Sequence, residues 1–507
     1  MKKLVKLLLQ RLILVSVCIL LQIFMLFLGM QWISQYFSWF SYLLTALSWI
    51  TILFIISDRT NISYKLAWII PILAFPLFGL MLYLIFGGNR LSARLKRKMD
   101  SIDRLLRNNL RQDVSVCDKL SRKFPDAAIQ SHYLTENAFP VYSDTQTQYF
   151  PSGEPCWAAM LEELKKAQKT IYLEYFIICP GRMWNTIVDI LEEKAAAGVD
   201  VRLIYDDFGC ICKLPRKYRQ YLEGKGIKVC VFNPYIPILS SRLNNRDHRK
   251  LMIIDNQVAF TGGINHADEY INEADRHCGH WKDCGILLRG DAVWSMTVMF
   301  TSMWNHITGS TELDVPPRYP AVTDYHGFVQ PLVDSPLDFE TVSRNVFLNL
   351  ISRAKKNVYI MTPYLIIDDT VSDALSVAAK SGVDVRIITP AIGDKGYVHA
   401  TTRAYYVRLL EAGCKIFEYT PGFVHSKLML VDDNLAVVGT VNLDFRSLYL
   451  HFEDGVWLCD ADCIGQICDD FAQTFPISRQ ISLEECNNQK WYMSVIRAVL
   501  RIFSPLM

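Results

Sequence analysis

One sequence pattern occurs twice in the chain with identical internal spacing. The pattern is H-x-K-x4-D-x6-G-[GT]-x-N, and it begins at His248 and again at His425. A single H-x-K carries little information, but two complete copies in a chain of 507 residues are very unlikely to arise by chance. The duplication therefore restricts the chain to folds that present the same set of side chains from two similar units.

The sequence around each copy is repeated as well. The runs Lys169–Tyr175 and Lys356–Thr362 have the apolar, β-branched composition of buried strands. Each is followed by a helical run that ends near a glycine, Gly198 or Gly382, at the position of a helix C-cap. Strand, helix and strand at this spacing predict a βαβ unit with a parallel or mixed sheet. We therefore predict an α/β chain with two similar lobes related by a pseudo-twofold axis.

The residue types in the pattern suit the chemistry of a phosphodiester. On a strand, a His and a Lys two positions apart face the same side, so two such faces could meet around one point. Ammonium and amide groups stabilise charge that develops on phosphoryl oxygens. One imidazole can attack phosphorus while the other protonates the leaving oxygen. The predicted catalytic residues are those of the two motifs: His248, Lys250, Asp255, His425, Lys427 and Asp432.

The later positions of the pattern have separate roles. Asp255 and Asp432 lie five residues beyond the lysines, on the opposite strand face or in the following turn, and this favours a structural hydrogen bond or ion pair over direct chemistry. Glycine allows a backbone to approach a ligand closely, and asparagine supplies an amide donor. The predicted substrate-binding residues are Asn265, Asn442, Gly262 and Gly439.

No metal or other cofactor is predicted. The strongest metal candidate in the sequence is the cluster His277, Cys278, His280 and Cys284, which lacks the paired spacing of zinc sites. Reduced thiols that fill core and surface positions are the favoured interpretation of the scattered cysteines. We see no carboxylate cluster that would hold a divalent ion.

Three apolar stretches open the chain, at residues 12–30, 37–56 and 66–86. Each is close to the ~20 residues that a helix needs to cross a bilayer. Basic residues precede the first stretch and follow the third, which places both ends on the inner side. Two inner ends require an even number of crossings, so one stretch would be interfacial or re-entrant.

Charge elsewhere gives weaker indications. The formal net charge of +2 offers no general argument for nucleic-acid binding. The basic run at residues 90–107 could bind anionic lipid head groups, or it could be a solvated helix face. The tail from Trp491 to Met507 could be an interfacial amphipathic helix or could pack on the catalytic core.

The paired pattern is that of the phospholipase D superfamily, and the surrounding sequence resembles bacterial cardiolipin synthases. The resemblance covers nearly the whole chain. It is carried by residues 66–87, 245–250, 262–270, 419–427 and 439–447.

The resemblance implies a phosphatidyltransferase of the bacterial plasma membrane, anchored by several crossings. The substrate would be phosphatidylglycerol in the bilayer, and the products cardiolipin and glycerol. The family's usual pattern implies that His248 forms a phosphatidyl-histidine and that His425 acts as general acid and then as base. It also implies that a downstream carboxylate orients each histidine, and alignment of the two copies nominates Asp283 and Glu453.

These expectations divide the chain into four parts: a membrane anchor at 1–88, a basic linker at 89–135, a first phospholipase D-like lobe at 136–320 and a second at 321–507. The alternative function is a phospholipase D that hydrolyses phospholipid, because water attacks the same intermediate. A nuclease with the same motif is disfavoured by the near-neutral charge. A non-catalytic scaffold is disfavoured because both histidines are present. The sequence does not indicate an oligomeric state.

Overall fold

The computed structural model describes residues 38–58, 60–87, 108–235, 244–274, 277–310, 325–337, 340–488 and 491–506, together with a few isolated positions between Leu20 and Trp32. Apart from those positions, the first predicted apolar stretch lies outside the described residues, and so does the basic run at 90–107.

The amino-terminal apolar region is helical where it is described. Helix α1 (Ser38–Ser57) coincides with the second predicted stretch. The length of the third stretch had indicated a single helix, and this expectation is wrong. It comprises α2 (Ile62–Ala74), α3 (Pro76–Leu82) and a π-helical turn (Tyr83–Gly87). Among the described residues, no helix combines the length and the hydropathy that a membrane crossing requires.

The chain reverses direction between α2 and α3. Phe75 leaves the helical region with φ −138° and ψ 76°, and Pro76, which has no N–H to donate, begins the next helix. The two helices then pack closely, since a Cβ on Gly79 would lie 2.4 Å from the carbonyl oxygen of Pro71. The rings of Trp68 and Tyr83 meet edge to face, with centroids 5.6 Å apart. The third stretch is therefore a helical hairpin.

Helices α4 (Val114–Lys123) and α5 (Pro125–Glu136) follow in the segment that was predicted to be a linker. Their apolar residues, including Leu120 and Leu134, are buried in a core that the second lobe supplies. Trp457 of that lobe donates its indole N–H to Gln130 at 3.3 Å. These two helices thus pack as part of the second lobe.

The first lobe is built on a seven-stranded sheet of order β1-β9-β7-β6-β2-β3-β4. In chain order its elements are β1 (Thr145–Phe150), α6 (Gly153–Lys166), β2 (Thr170–Tyr175), α7 (Arg182–Ala196), β3 (Asp200–Asp206), α8 (Asp207–Cys210), α9 (Tyr218–Glu223), β4 (Lys228–Phe232), β5 (Arg246–Asp247), β6 (Lys250–Ile254), β7 (Val258–Gly262), a 3-10 turn (Asp268–Ile271), β8 (His280–Lys282), β9 (Gly285–Gly290) and α10 (Val293–Thr308).

The second lobe repeats this order as β10-β19-β17-β16-β11-β13-β14 and adds β20 at the edge. Its elements are β10 (Phe328–Asp334), α11 (Val342–Arg353), β11 (Asn357–Met361), β12 (Leu365–Ile366), α12 (Asp369–Lys380), β13 (Asp384–Pro390), α13 (Gly396–Ala404), α14 (Tyr406–Glu411), β14 (Lys415–Tyr419), β15 (Gly422–Val424), β16 (Leu428–Val431), β17 (Leu435–Gly439), β18 (Leu443–Asp444), α15 (Phe445–Tyr449), β19 (His451–Cys459), α16 (Ile464–Thr474), β20 (Ser478–Ile481), α17 (Leu483–Asn487), α18 (Trp491–Phe503) and a 3-10 turn (Ser504–Leu506).

The repeated strand order confirms two similar α/β lobes. The predicted βαβ units are present, because β2 pairs with β3 and β11 pairs with β13, both in parallel. The two glycines that were expected to end the crossover helices have positive φ angles, 90° for Gly198 and 93° for Gly382. Glycine adopts this conformation without the Cβ penalty of other residues, so it ends the helix just before the next strand.

The two sheets share one core between their inner faces. Leu251 and Ile253 of β6 pack in it with Leu428 and Leu430 of β16, while the alternate residues of both strands face the outer helices. Strands that are buried on both faces need apolar residues at every position, which accounts for the unbroken apolar runs after both H-x-K motifs.

Candidate active site

The two motif histidines lie in short breaks between strands. His248 stands between β5 and β6, and His425 stands between β15 and β16. The expectation that each His and Lys share one continuous strand is therefore wrong. Within each break, the backbone N–H of the histidine pairs with a carbonyl of the opposite lobe.

The short strand that precedes each histidine pairs in parallel with a strand of the opposite lobe. Strand β5 of the first lobe pairs with β19 of the second, and β15 of the second lobe pairs with β8 of the first. The backbone N–H of His248 donates to the carbonyl of Phe452 at 2.9 Å. The N–H of His425 donates to the carbonyl of Lys282 at 2.6 Å. Each lobe thus pairs its motif segment with a strand of the other lobe, and the two pairings are equivalent.

Each imidazole is held by a carboxylate of the other lobe. His248 Nδ1 lies 3.0 and 2.9 Å from the two oxygens of Glu453. His425 Nδ1 lies 2.6 Å from Asp283 Oδ2. The structure brings both predicted orienting carboxylates to the histidines, and it pairs them crosswise. A carboxylate at Nδ1 fixes the ring orientation and leaves Nε2 directed away from it.

Burial sets the charge state of the histidines. Both side chains are almost fully buried among aromatic rings, with Phe176 near His248 and Tyr270 near His425. Burial lowers the pKa of each imidazole well below its ordinary value, and the ammonium groups of Lys250 and Lys427 lower it further. A neutral imidazole is the form that can act as a nucleophile.

The two motif lysines point back to the histidines that precede them. The ammonium of Lys250 donates to the carbonyl of His248, and that of Lys427 donates to the carbonyl of His425 and lies 2.8 Å from its Nδ1. Burial lowers the pKa of Lys250 to about 7 and that of Lys427 to about 8, although neighbouring carboxylates oppose the change. An anionic phosphate at this point would favour the charged form of both lysines.

The two motif aspartates lie at the far ends of their strands. Asp255 accepts backbone N–H bonds from Lys169 and Thr170 at 2.7 and 2.8 Å. Asp432 accepts the equivalent bond from Lys356 at 2.6 Å. Both aspartates have φ 52° in tight hairpin turns, as the type I′ geometry requires. Their inclusion in the catalytic set is thereby corrected, because their carboxylates fasten the start of the neighbouring strand.

The motif glycines make room for backbone. A Cβ on Gly262 would lie 2.3 Å from the carbonyl oxygen of Cys284, and one on Gly439 would lie 2.4 Å from that of Asp454. Cys284 immediately precedes β9 and Asp454 lies within β19, and each directly follows an orienting carboxylate in the sequence. The expected close approach exists, but its partner is an adjacent strand, and the assignment of these glycines to substrate binding is corrected accordingly.

The two asparagines differ in their surroundings. Asn265 accepts the backbone N–H of Ile177 at 3.0 Å and donates to the hydroxyl of Tyr270 at 2.7 Å. Asn442 is buried, and its Oδ1 has no hydrogen-bond partner among the described residues. Asn265 thus has a structural task in the first lobe, whereas the amide of Asn442 remains the better candidate for a substrate contact.

Several polar residues that support the site were missed from the sequence. Asp454 accepts the backbone N–H of Lys250 at 3.2 Å and the hydroxyl of Thr261, and burial raises its pKa to about 7. The Thr440 hydroxyl donates to Glu453. In the alignment of the two copies Asp454 corresponds to Cys284, so the sequence shows that the copies differ at this position. The role of Asp454 depends on its contact with Lys250 of the other lobe, which the alignment does not show.

Comparison with known proteins identifies the family of this chain. A family model described as "Cardiolipin synthase, PLD-like domain" matches residues 160–278 and 347–475, and one described as "Phospholipase_D-nuclease N-terminal" matches 43–88. A protein named cardiolipin synthase from Halalkalibacterium halodurans is 33% identical over 92% of this chain and 94% of its own length. This chain belongs to the cardiolipin synthase family of phospholipase D-like proteins. As a member it is an enzyme, and the expectation of a phosphatidyltransferase is confirmed at that level.

Two further relatives and one solved structure are similar to this cardiolipin synthase family member. A protein named cardiolipin synthase 2 from Bacillus anthracis is 34% identical over 89% of this chain and 88% of its own length. An uncharacterized protein from Streptococcus mutans is 40% identical over 90% of this chain and 99% of its own. The solved structure of a phosphatidylserine synthase from Haemophilus influenzae has a TM-score of 0.57 at 16% identity, and it covers 74% of this chain and 97% of its own. At this identity, the last similarity concerns the fold alone.

One group of metal-ligand type occurs among the described residues of this family member. Donor atoms of His248, His451 and Glu453 lie within 4.8 Å of one another. Two of these residues already form the His248–Glu453 hydrogen bond, and a metal would displace the proton of that bond. The cluster considered in the sequence does not assemble in this way, since Cys284 is buried in an apolar core and His280 Nδ1 lies 3.0 Å from the Tyr419 hydroxyl.

The lysine pKa values predict an alkaline loss of activity in this cardiolipin synthase family member. An ammonium group is present below its pKa, so Lys250 and Lys427 lose their charge in the free enzyme as the pH rises through about 7 to 8. We expect kcat/KM for lipid substrate to fall at least about tenfold between about pH 6.5 and about pH 9.5. Rates measured with substrate in mixed micelles across this range would show it.

Lysine-to-arginine variants supply the matched comparison for that pH profile. A guanidinium stays charged at every pH of the assay, so the ratio of the rates at the two pH values should be closer to one in Lys250→Arg and Lys427→Arg than in the wild type. An equally steep alkaline loss in both variants would show that other groups cause it.

The corrected role of Asp255 and Asp432 gives a prediction for this family member. Asp255→Asn and Asp432→Asn should lower the free energy of unfolding by about 2 kcal/mol each, since charge-assisted bonds to backbone N–H groups become neutral or are lost. The KM and kcat of the folded fraction should change less than about threefold. Denaturant unfolding combined with active-site titration separates the two effects, and a loss of kcat at full folding would restore these residues to the catalytic set.

Proposed function

We propose that this protein is a cardiolipin synthase that transfers a phosphatidyl group from one phosphatidylglycerol to the glycerol hydroxyl of a second. The observation that carries the proposal is the crosswise arrangement of two buried histidines, each held at Nδ1 by a carboxylate of the other lobe. Two imidazoles held at Nδ1, with two lysines close enough to lower the pKa of both rings, suit two successive displacements at phosphorus.

In the first displacement, His248 Nε2 attacks phosphorus and the bond from phosphorus to the glycerol oxygen breaks. Glu453 supports this role because both of its oxygens face Nδ1, which keeps a proton there and leaves the Nε2 electron pair free. His425 delivers a proton to the leaving oxygen, so that neutral glycerol departs. The product of this step is a phosphatidyl group bonded to His248.

The surroundings of His425 support its role as the acid. Burial raises the pKa of Asp283 to about 7, against the opposing effect of Lys427. A protonated Asp283 donates to Nδ1 of His425, and the neutral ring then carries its proton on Nε2, where the leaving oxygen needs it. As Nε2 gives up that proton, Nδ1 takes the one from Asp283. The pair therefore delivers a proton near neutral pH without forming a long-lived buried cation.

In the second displacement, the hydroxyl of another phosphatidylglycerol attacks phosphorus. His425 Nε2 accepts the hydroxyl proton, the bond from phosphorus to His248 breaks, and cardiolipin forms. The two lysines, with the amide of Asn442, would stabilise the phosphoryl oxygens in both steps. The acceptor decides between synthesis and hydrolysis, because water at this stage would give phosphatidic acid.

The proposal includes contact with a membrane through the amino-terminal helices. Helix α1 and the α2–α3 hairpin expose large apolar side chains, among them Leu53, Ile62, Leu73 and Phe75. We propose that the hairpin is re-entrant or interfacial and that these exposed apolar side chains contact lipid. The four-part division of the chain is retained as a proposal, with residues 114–136 assigned to the second lobe on the strength of their packing.

The function is tested by the identity of the products. The purified full chain in detergent is incubated with labelled phosphatidylglycerol and a chelator of divalent metals, and the lipids are separated. Cardiolipin with an equal amount of free glycerol supports the proposal. Phosphatidic acid with no cardiolipin, at any ratio of lipid to detergent, would make the protein a hydrolase with the same site.

A further inference from the structure

A cavity of about 550 Å³ lies outside the catalytic site, where the amino-terminal helices meet the carboxyl-terminal helix. Helix α18 packs on α13 of the second lobe and on α2. Apolar side chains line part of the cavity, among them Leu66, Ile70 and Ile502. Its charged lining residues are three arginines and one acid: Arg403, Arg497, Arg501 and Asp369. The cavity is thus amphipathic, and the mechanism makes no use of it.

The arginines of the cavity outnumber the acids that neutralise them. Arg403 forms two hydrogen bonds with Glu418, at 2.8 and 2.7 Å, and Arg479 shares the same carboxylate at 3.0 Å. Arg501 lies 3.5 Å from Asp369, whose oxygen also accepts a 2.8 Å bond from Arg408. Glu418 and Asp369 therefore each contact two guanidinium groups, while Arg479 also pairs with Glu485 and Arg408 with Asp373.

Arg497 has no carboxylate of its own in the described part of the chain. Its Nε atom is buried and makes no hydrogen bond there. Burial lowers the pKa of Arg497, with a further decrease from the neighbouring Arg403, yet a guanidinium with so high a starting pKa stays charged at neutral pH. A partly buried guanidinium that has no carboxylate partner of its own favours an anion from outside the chain.

The surface around the cavity indicates what kind of anion would reach it. Val495, Ile496, Val499 and Ile502 of α18 are exposed, each between 41% and 54%. Leu66 on α2 is 50% exposed. An anion with apolar chains would place its charge among the arginines and its chains along these side chains, as interfacial helices do with lipid. A small hydrated anion would gain nothing from the apolar side.

We propose that this cavity binds the phosphate head group of an anionic phospholipid, as a site separate from the catalytic histidines. Arg497 provides the uncompensated charge, Arg403 and Arg501 flank it, and α2 and α18 hold the acyl chains. The inference rests on the proposed membrane contact but requires no turnover. Occupancy would fix α18 between the membrane surface and the second lobe.

The experiment counts bound lipid on the full chain in detergent by native mass spectrometry. All proteins carry His248→Ala so that no lipid is consumed, and the added lipid is phosphatidylglycerol or, for comparison, zwitterionic phosphatidylcholine. The test variant is Arg497→Gln. The matched control is Arg219→Gln, which removes an exposed arginine of the first lobe that pairs with Glu223. A third arm adds inorganic phosphate in excess.

The expected result is one phosphatidylglycerol fewer, or about tenfold weaker binding of one, in Arg497→Gln and no change in Arg219→Gln, since a charge-assisted bond to phosphate is lost. Phosphatidylcholine should not discriminate between the two variants. Equal phosphatidylglycerol binding in both variants would overturn the proposal. So would displacement of that lipid by inorganic phosphate alone, which would make the site one for a small anion. Because catalysis is absent from the assay, these results do not depend on whether the wild type forms cardiolipin.

Discussion

Replacing either motif histidine with alanine should lower cardiolipin formation by at least about 10⁴-fold, because the nucleophile or the proton donor is lost from a site in which both act together. His248→Ala and His425→Ala are compared with the wild type in initial rates of product formation. His132→Ala is the matched control, since this histidine is exposed on α5, and its rate should equal that of the wild type.

An activated substrate separates the two histidines. A phosphodiester with a nitrophenol leaving group needs no general acid, since the phenolate leaves unprotonated. His425→Ala should therefore still release a stoichiometric burst of nitrophenol and trap the phosphoryl group on His248, whereas His248→Ala should give no burst. The reverse result would exchange the two roles. Full cardiolipin formation in both alanine variants would exclude the two-histidine mechanism.

Replacing either orienting carboxylate with its amide should lower kcat by about 10³- to 10⁴-fold while the protein stays folded. In Glu453→Gln the side-chain amide can present N–H to Nδ1 of His248, and this favours the tautomer whose Nε2 carries a proton and cannot attack phosphorus. In Asp283→Asn the amide has no proton to pass to Nδ1 of His425 when Nε2 gives up its own. The measurement is kcat for cardiolipin formation. Glu223→Gln, on an exposed helix of the first lobe, is the matched control and should be silent.

The crosswise pairing gives these variants opposite signatures with the activated substrate. Asp283 belongs to the first lobe but orients His425 of the second. Asp283→Asn should therefore keep the nitrophenol burst, as His425→Ala does. Glu453→Gln should lose it, because Glu453 orients His248. If each carboxylate acted on the histidine of its own lobe, the two outcomes would be exchanged.

Much of this protein's architecture could be predicted from local sequence patterns. The repeat of strand, helix and C-cap glycine predicted the two lobes, because helix ends and buried strands depend on neighbours a few residues away. The unbroken apolar run after Lys250 indicated a strand buried on both faces. The H-x-K pairs and the carboxylates Asp283 and Glu453 were also found by comparing one copy with the other.

Contacts between distant segments decided the rest. The sequence could not say that Glu453 faces His248 and Asp283 faces His425, since this follows from β5 and β15 leaving their own sheets for the opposite lobe. The hairpin in the third apolar stretch likewise depends on packing at Gly79. The chemical identity of the site is local in sequence, because a motif fixes residue types and spacing. Its geometry is a property of the assembled lobes, because hydrogen bonds over some 140 to 205 residues form only when both cores have packed.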